Sequence, residues 1–176
     1  MENKEFLIKL LDSKEERARS QKELLEKYGG SLISFTLNIP GREKDNKTYR
    51  DIHKEGLRLI KEKLRSYNYK LIYQKEKEKE TGREAYLIVD IDPVSLKKLS
   101  IELEESSKIS RVFDIDVFDK EHNQVGRKDL GKSPRKCLVC GKEARVCIRE
   151  RAHSYEELIG EISKAWINYM GKRKDK

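Results

Sequence analysis

The stretch SRVFDIDVFD, residues 110–119, places three aspartates among five large apolar residues. Because side chains of a β-strand alternate between two faces, Phe113, Ile115 and Val117 share one face, which we expect in the core. The aspartates between them share the other face. A buried ionised carboxylate is costly unless it meets a cation, a metal or hydrogen-bond donors. The stretch therefore predicts a core strand whose polar face meets something positive.

Asp114 and Asp116 are separated by about 6 to 7 Å at their Cα atoms if the strand is regular. Two carboxylates at that separation can lean onto one or two divalent cations, as in metal-dependent phosphoryl and nucleotidyl transfer. The alternative is a solvated strand face, because Asp-x-Asp is a common pattern in a highly charged chain. The same tripeptide occurs at residues 90–92, where Pro93 follows and Asp92 is placed to cap a helix.

The composition indicates a folded chain with a heavily solvated surface. Of its 176 residues, 41% are charged and 36% are hydrophobic. This length can bury a core without disulfides, and the apolar residues recur in register, unlike those of a disordered chain. We see no signal peptide, and no apolar run approaches the ~20 residues that span a bilayer. We therefore expect a cytoplasmic protein with no membrane partner.

The net charge of +8 is unevenly distributed. Residues 126–151 hold nine Lys or Arg residues against three Asp or Glu residues. Such a segment is typical of binding to a nucleic acid, a polyphosphorylated small molecule or an acidic protein. A solvated basic loop is the alternative.

Capping and periodicity patterns predict an α+β fold with a mixed, largely antiparallel central sheet and flanking helices. We expect an α+β catalytic domain over residues 1–130, and a Cys-rich knuckle with a C-terminal helix over 131–176, packed on the same domain. His53 and His122 are expected at the surface. Helices are predicted to begin at Ser13, Thr48, Asp92 and Ser154, and strands to cover 32–39, 69–74, 85–91, the region around Asp114 and Asp116, and a short segment after His122-Asn123.

All three cysteines lie in CLVCGKEARVC, as Cys137-x2-Cys140-x6-Cys147, and His153 follows. Three thiolates and an imidazole can complete a tetrahedral zinc shell, and Gly141 supplies the tight turn that a Cys-x2-Cys knuckle needs. Three plain thiols in a reducing compartment are the alternative to structural zinc. Thiol catalysis is disfavoured because no separate histidine and acid pattern accompanies the cysteines.

In combination, these residues resemble the apo-citrate lyase phosphoribosyl-dephospho-CoA transferase family, also called citrate lyase holo-acyl-carrier-protein synthase. The resemblance covers nearly the whole chain and rests on the order and spacing of its pieces. One departure is Ser110, where the family pattern has Gly. The pieces are Arg17 and Gln21, NIPG at 38–41 with Lys44, Thr81-Gly82, Glu104-Glu105, Arg111 with FDIDV at 113–117, and RKCLVCGKEARVCIRERAH at 135–153.

The resemblance implies a nucleotidyltransferase that attaches the prosthetic group of citrate lyase. A serine of the acyl carrier (γ) subunit attacks the α-phosphorus of 2′-(5″-triphosphoribosyl)-3′-dephospho-CoA and releases pyrophosphate. Asp114 and Asp116 are then expected to hold Mg²⁺ and stabilise the departing pyrophosphate. By analogy of chemistry, we expect a nucleotidyltransferase-like sheet with both aspartates on one strand.

The resemblance also implies a substrate-binding set and a third carboxylate. Glu104 or Asp119 is the candidate general base for the serine. The NIPG amides can approach a phosphate or merely end a strand, and the first helix can offer side chains to the substrate or brace itself on the sheet. The expected substrate-binding residues are Arg17, Gln21, Asn38, Gly41, Lys44, Arg111, Arg135 and Lys136.

A zinc-knuckle nucleic-acid-binding module is the alternative function. It would use the basic segment 126–151 for phosphate contacts and Tyr155 or Trp166 for stacking. The basic segment lacks interleaved aromatic residues, and Trp166 lies on an apolar helix stripe, so a nucleic acid partner is disfavoured. A carrier-binding scaffold without catalysis is a third hypothesis.

Overall fold

The computed structural model describes residues 2–174, and these form one antiparallel sheet with helices on both faces. No helix in this range is both long and apolar enough to span a membrane. The strands are β1 (Ser31–Leu37), β2 (Lys70–Lys77), β3 (Glu84–Asp90), β4 (Phe113–Phe118) and β5 (Gln124–Val125). The α-helices are α1 (Glu2–Tyr28), α2 (Lys47–Ser66), α3 (Pro93–Glu105), α4 (Ala144–Glu150) and α5 (Tyr155–Lys174).

The strand order is β2-β3-β1-β4-β5, and all four neighbouring pairs are antiparallel. This arrangement confirms the predicted α+β class. In the β1–β4 pair, Ser34 lies opposite Asp116 and Thr36 lies opposite Asp114. The register therefore places the two aspartates beside small hydroxyl side chains rather than beside other carboxylates.

One face of the sheet forms the main core under α2, α3 and α5. The alternation in β4 is as predicted, because Phe113, Ile115 and Val117 are buried there. The C-terminal helix contributes Ile162 and Ala165 to the same core. The proposed division at residue 130 stays a prediction.

The opposite face is covered in part by α1. Leu24 and Leu25 pack with Leu32, Tyr86 and Ile88 near one end of the strands. Toward the other end, this face is polar and carries the aspartates of β4. The incomplete apolar cover leaves room for a site.

Two predicted helix starts are wrong. Ser13 lies within α1, and its hydroxyl is 2.8 Å from Thr81 Oγ1, so it is not a cap. No Gly or Pro precedes it in α1, and the helix continues through it. The N-cap of α2 is Asn46, not Thr48, and its side chain accepts from the Tyr49 amide at 2.9 Å.

Two other predicted caps are confirmed. The Asp92 side chain accepts from the Ser95 amide at 2.8 Å and begins α3. Ser154 and Glu157 form a reciprocal capping box at the start of α5, with N···O distances of 3.1 and 2.7 Å.

The predicted surface positions of the two histidines need correction. His53 is only 1% exposed, because α2 turns it into the core, where its ring stacks on Phe35 with centroids 4.7 Å apart. Burial lowers the pKa of His53 to about 4. His122 is half-buried, and its Nε2 lies 3.0 Å from Gln21 Oε1.

Candidate active site

Asp114 and Asp116 project together from the polar face of β4, and both are half-buried. Burial and the nearby Asp114 charge raise the pKa of Asp116 to about 6. Gln124 donates to Asp116 Oδ1 at 2.7 Å, and Arg135 donates to Asp114 Oδ1 at 2.8 Å. Among the described residues, no hydrogen-bond donor contacts the Oδ2 atom of either aspartate. Two acceptor oxygens on neighbouring carboxylates therefore remain for a cation.

Arg135 joins the aspartate pair to the buried Glu104 of α3. Its second guanidinium nitrogen donates to Glu104 Oε1 at 2.8 Å, and Arg127 donates to Glu104 Oε2 at 2.6 Å. Glu104 is only 3% exposed, so these two cations compensate a charge that would otherwise be costly. Both oxygens of Glu104 therefore accept hydrogen bonds from arginines.

The edge of β4 explains why charged side chains of α3 lie here. β5 pairs only with Val117 and Phe118, so Ile115 lacks a strand partner on that side. Glu104 Oε1 accepts from the Ile115 amide at 3.3 Å, and Lys97 Nζ donates to the Ile115 carbonyl at 2.9 Å. Side chains of α3 thus substitute for the missing strand, and the same contacts fix Glu104 beside the aspartates.

A cavity of about 160 Å³ opens beside Asp114, and we call it the Asp114 cavity. It brings together segments that are distant in the sequence. Several predicted substrate-binding or family positions line it besides Asp114: Arg17, Asn38 of NIPG, Lys44 and the Thr81-Gly82 turn. The other lining residues are Leu10, Lys14, Thr36, Leu37, Ile39, Asp45, Tyr49, His53 and Arg83.

The NIPG loop contributes Asn38 and Ile39 to the wall of this cavity. Lys44 Nζ donates to the Ile39 carbonyl, and burial lowers the pKa of Lys44. Gly41 has φ +77°, and a Cβ there would lie 2.2 Å from the Tyr155 ring. Gly41 is therefore needed where the loop packs against α5, and it is not among the lining residues of the Asp114 cavity.

Arg17 and Gln21 both brace α1 on the sheet, but only Arg17 also lines the cavity. Arg17 Nε donates to the buried Glu84 carboxylate at 2.9 Å. Gln21 Nε2 donates to Ser34 Oγ at 3.0 Å. The sequence left open whether this pair reaches the substrate or braces the helix. In the structure both residues contact the sheet, and Arg17 alone of the two lines the cavity.

A second, larger cavity of about 390 Å³ lies on the other side of Arg135, and we call it the basic pocket. The Arg135–Asp114 bond connects the walls of the two cavities. Asp119 lines neither cavity; its carboxylate instead accepts from the amides of Glu121 and Asn123 in a turn. The basic pocket is lined by Glu104, Glu105, Arg111, Arg127, Lys132, Ser133, Pro134, Arg135 and Lys136.

Residues 6–169 match the family described as apo-citrate lyase phosphoribosyl-dephospho-CoA transferase. The chain belongs to this family. A Streptococcus pyogenes serotype M3 protein named "Probable apo-citrate lyase phosphoribosyl-dephospho-CoA transferase" is 39% identical over 171 residues, which cover 94% of this chain and 88% of the relative. A Vibrio cholerae serotype O1 protein (strain M66-2) of the same name is 32% identical over 164 residues, covering 93% and 92%.

A Haemophilus influenzae relative, named Protein CitXG, is longer. It is 36% identical over 160 residues, which cover 91% of this chain but only 34% of the relative. This chain therefore spans about one third of that protein. The family membership confirms the resemblance inferred from the motifs.

This chain also carries a Cys3His cluster that could hold a metal ion. The ligand atoms of Cys137, Cys140, Cys147 and His153 all lie within 4.8 Å of one another. Cys140 Sγ is 3.5 Å from Cys147 Sγ and 3.3 Å from His153 Nε2. Gly141 adopts φ +74° in the knuckle turn, as the sequence predicted. Three sulfurs and one nitrogen are a donor set that zinc accepts.

The cluster is coupled to the active site through the chain that enters the knuckle. Arg111 donates to the Cys137 carbonyl at 3.3 Å, and the Ala144 amide donates to the Arg135 carbonyl at 2.8 Å. The knuckle therefore holds both ends of the segment from Arg135 to Ala144. A metal bound there would fix the position of the arginine that contacts Asp114.

Several residues of the candidate site were missed by sequence reasoning. Arg127 was noticed only as part of a basic segment, and Arg83 and Thr36 were not singled out. Lys97 is seven residues before Glu104, which is two helical turns on one face, so that spacing could have suggested a joint role. The other three depend on contacts between distant segments and had no local signal.

Of the two aromatic residues named for the nucleic-acid alternative, Trp166 is taken up by the fold, whereas Tyr155 stays 44% exposed. Trp166 is packed against the main core and stacks on Tyr169, with ring centroids 5.9 Å apart. Tyr155 lies against Gly41. The comparisons give no support to a nucleic-acid-binding module.

Proposed function

We propose that this chain transfers the 5-phosphoribosyl-dephospho-CoA group to a serine of the acyl carrier subunit of apo-citrate lyase. Family membership supports the reaction class. The observation that carries the assignment of the site is the Asp114 cavity, where Arg17, Lys44 and Asp114 of three separate segments line one space. Cations beside a carboxylate pair suit a triphosphate substrate.

The reaction is an exchange at one phosphorus atom. The serine oxygen forms a bond to the α-phosphorus of 2′-(5″-triphosphoribosyl)-3′-dephospho-CoA, and the bond from that phosphorus to pyrophosphate breaks. The serine proton leaves to a base or to water. Pyrophosphate carries away the electron pair of the broken bond, so negative charge on the leaving group must be stabilised.

Asp114 and Asp116 are the residues that we propose for Mg²⁺. Their uncontacted Oδ2 atoms are hard oxygen ligands on one face of one strand, which fits this cation. Burial raises the pKa of Asp116, which indicates that its charge lacks compensation in the protein alone. When bound, Mg²⁺ would supply stabilisation of charge on the triphosphate.

The surrounding cations orient and neutralise the substrate phosphates in this proposal. Lys14, Arg17, Lys44 and Arg83 line the Asp114 cavity. Arg111, Arg135 and Lys136 line the adjacent basic pocket. Because the proposed substrate carries phosphates at both the triphosphate and the dephospho-CoA ends, two neighbouring basic spaces suit it better than one.

Glu104 has a positioning role in this proposal. It was predicted as a catalytic carboxylate, but Arg127, Arg135 and the Ile115 amide occupy its oxygens. Glu104 therefore holds Arg135 against Asp114. The general base is left unassigned.

We propose further that the Cys3His cluster binds a structural zinc ion. The close spacing of the three sulfur atoms and the imidazole nitrogen supports a structural role over thiol chemistry. Metal analysis of protein purified without chelator tests this directly. One zinc per chain, reduced in a Cys140→Ser variant, is the expected result.

The transfer is tested by intact mass spectrometry of the apo acyl carrier subunit incubated with the protein, the triphosphoribosyl precursor and Mg²⁺. We expect a mass gain equal to the phosphoribosyl-dephospho-CoA arm, with one pyrophosphate released per carrier. A carrier in which the acceptor serine is replaced by alanine should stay unmodified. An unchanged mass with folded protein would contradict the proposed function.

The role of the Asp114 cavity is tested with a matched pair of variants. Lys44→Ala should raise the KM for the nucleotide precursor by about tenfold, because a phosphate loses a cation in a partly buried space. Lys75→Ala, which removes an exposed lysine from β2, should leave this KM unchanged. Equal KM values for both variants would place the phosphates elsewhere.

A further inference from the structure

The short helix α4 presents an exposed surface that combines cations with an apolar side chain. Ile148 is 71% exposed, the largest exposure among the large hydrophobic residues of the described chain. Arg145 and Arg149 are three residues before it and one residue after it, and all three side chains are exposed. Positions i, i+3 and i+4 lie on one side of a helix. We call Lys142, Arg145, Ile148, Arg149 and Arg151 the α4 surface.

The charges of the α4 surface are largely uncompensated. Within the described residues, its only ion pair is that between Arg149 and Glu150, at 3.8 Å, and both side chains are mostly exposed. The buried Cys147 faces away from this surface and belongs to the Cys3His cluster. A fixed helix with free cations around one apolar side chain is suited to binding an acidic surface that offers an apolar contact.

The α4 surface is directly connected to the candidate active site. The first residue of α4, Ala144, donates its amide to the Arg135 carbonyl at 2.8 Å. Arg135 in turn contacts Asp114. The helix has seven residues and is about 10 Å long. A protein bound to α4 would therefore have its nearby segments beside the two cavities.

We propose that the α4 surface docks the acyl carrier subunit, and that acidic side chains of the carrier surround one apolar contact with Ile148. This inference rests on the proposed function, because the carrier is the protein substrate of that reaction. The surface lies next to the cavities without lining them, so a carrier can bind there while the nucleotide occupies the site. Charge attraction guides the approach, and Ile148 supplies the apolar anchor.

The test compares two charge-matched double variants in the transfer assay. Arg145→Glu with Arg149→Glu reverses two charges on the α4 surface. Lys70→Glu with Lys75→Glu reverses two exposed charges on β2, at the opposite edge of the sheet. We expect the first pair to raise the KM for the apo carrier by about tenfold or more, without changing the KM for the nucleotide precursor. The second pair should change neither.

Two further variants separate the apolar anchor from the charges and from a rival surface. Ile148→Ser should raise the carrier KM severalfold. Leu7→Ser with Leu11→Ser alters another exposed apolar patch, on α1, and should leave the carrier KM unchanged. Direct titration of apo carrier, at low and at high salt, should show affinity that falls with salt for wild-type protein and little salt dependence for the Arg145 and Arg149 variant.

The outcomes distinguish this inference from the proposed function. If wild-type protein transfers the arm and the α4 variants keep a wild-type carrier KM, the docking surface is elsewhere and the proposed function stands. A raised carrier KM in the α1 variant alone would likewise assign docking to α1. If wild-type protein neither transfers the arm nor binds the carrier, both proposals fail. Metal content and thermal unfolding of each variant establish that the knuckle remains intact.

Discussion

The chain contains the tripeptide Asp-Ile-Asp twice, and the two copies have different structures. The first copy, residues 90–92, ends β3, and its exposed Asp92 caps α3. The second copy, residues 114–116, lies within β4; Asp114 lines a cavity and contacts the half-buried Arg135, and Asp116 accepts from Gln124. Pro93 begins α3 directly after the first copy, whereas Val117 continues β4 after the second. The residue that follows therefore decides whether the tripeptide caps a helix or builds a site.

The two copies also place opposite electrostatic demands on the protein. The Ser95 amide lowers the pKa of Asp92, because its hydrogen bonds favour the ionised form. Burial and the neighbouring Asp114 charge raise the pKa of Asp116 to about 6. The first copy thus stabilises the fold as a carboxylate, while the second costs stability unless a cation arrives.

The largest expected effect is on transfer. Asp114→Asn and Asp116→Asn should each reduce the transfer rate by about 10³-fold, because each removes a ligand oxygen charge at the reacting triphosphate. Asp90→Asn alters an exposed aspartate of the first copy and should leave the rate unchanged. Steady-state rates from carrier mass measure both. Comparable losses in all three variants would remove the distinction between the copies.

The next effect is on stability, and its size depends on pH. The folded pKa of Asp116, about 6, lies above the ordinary value of 3.8, so its stabilising contribution is present below 3.8 and lost as pH rises through 6. The loss amounts to about 3 kcal/mol at most. Without divalent cations, Asp116→Asn should therefore have a larger free energy of unfolding than wild type at pH 7. At pH 4 the difference in free energy of unfolding should be small. Urea unfolding at the two pH values tests this.

A smaller loss is expected from the contacts that fix Arg135. Glu104→Gln and Arg135→Ala should each lower the transfer rate by about 30-fold, since each releases the guanidinium from its place at Asp114. Because the two residues act through one contact, the double variant should lose little more than the worse single variant. Additive losses, measured at matched thermal stability, would show that Glu104 acts independently of Arg135.

The smallest effect belongs to the helix cap. Asp92→Ala should lower the free energy of unfolding by about 1 kcal/mol, the usual cost of a lost N-cap, and leave transfer unchanged. Asp92→Ser, which can still accept from the Ser95 amide, should restore most of that stability. A transfer defect in Asp92→Ala at temperatures where it is folded would mean that the first copy has a role beyond capping.

Local patterns predicted those features that depend on neighbouring residues in the chain. The alternation in β4, the Asp92 cap and the Cys3His spacing are all recovered in the structure. Ser13 was misassigned because its hydroxyl pairs with Thr81, which is 68 residues away. His53 was placed at the surface because no neighbouring residue in the sequence indicates that its ring stacks on Phe35.

The same limit applies to the site. The aspartates and several basic residues were predicted from their patterns and from the family resemblance. The engagement of Glu104 by Arg127 and Arg135 was not, because it results from the missing strand partner at Ile115. Such a gap in a sheet edge is visible only once the strands are paired.

In the proposed site the second Asp-Ile-Asp copy binds the divalent cation and the first does not. Titration of Mn²⁺, followed by electron paramagnetic resonance, measures this without carrier or nucleotide. We expect wild type and Asp90→Asn to bind Mn²⁺ alike, and Asp114→Asn and Asp116→Asn to lose that binding. Unchanged Mn²⁺ binding in the latter two variants would show that the cation site is not formed by Asp114 and Asp116.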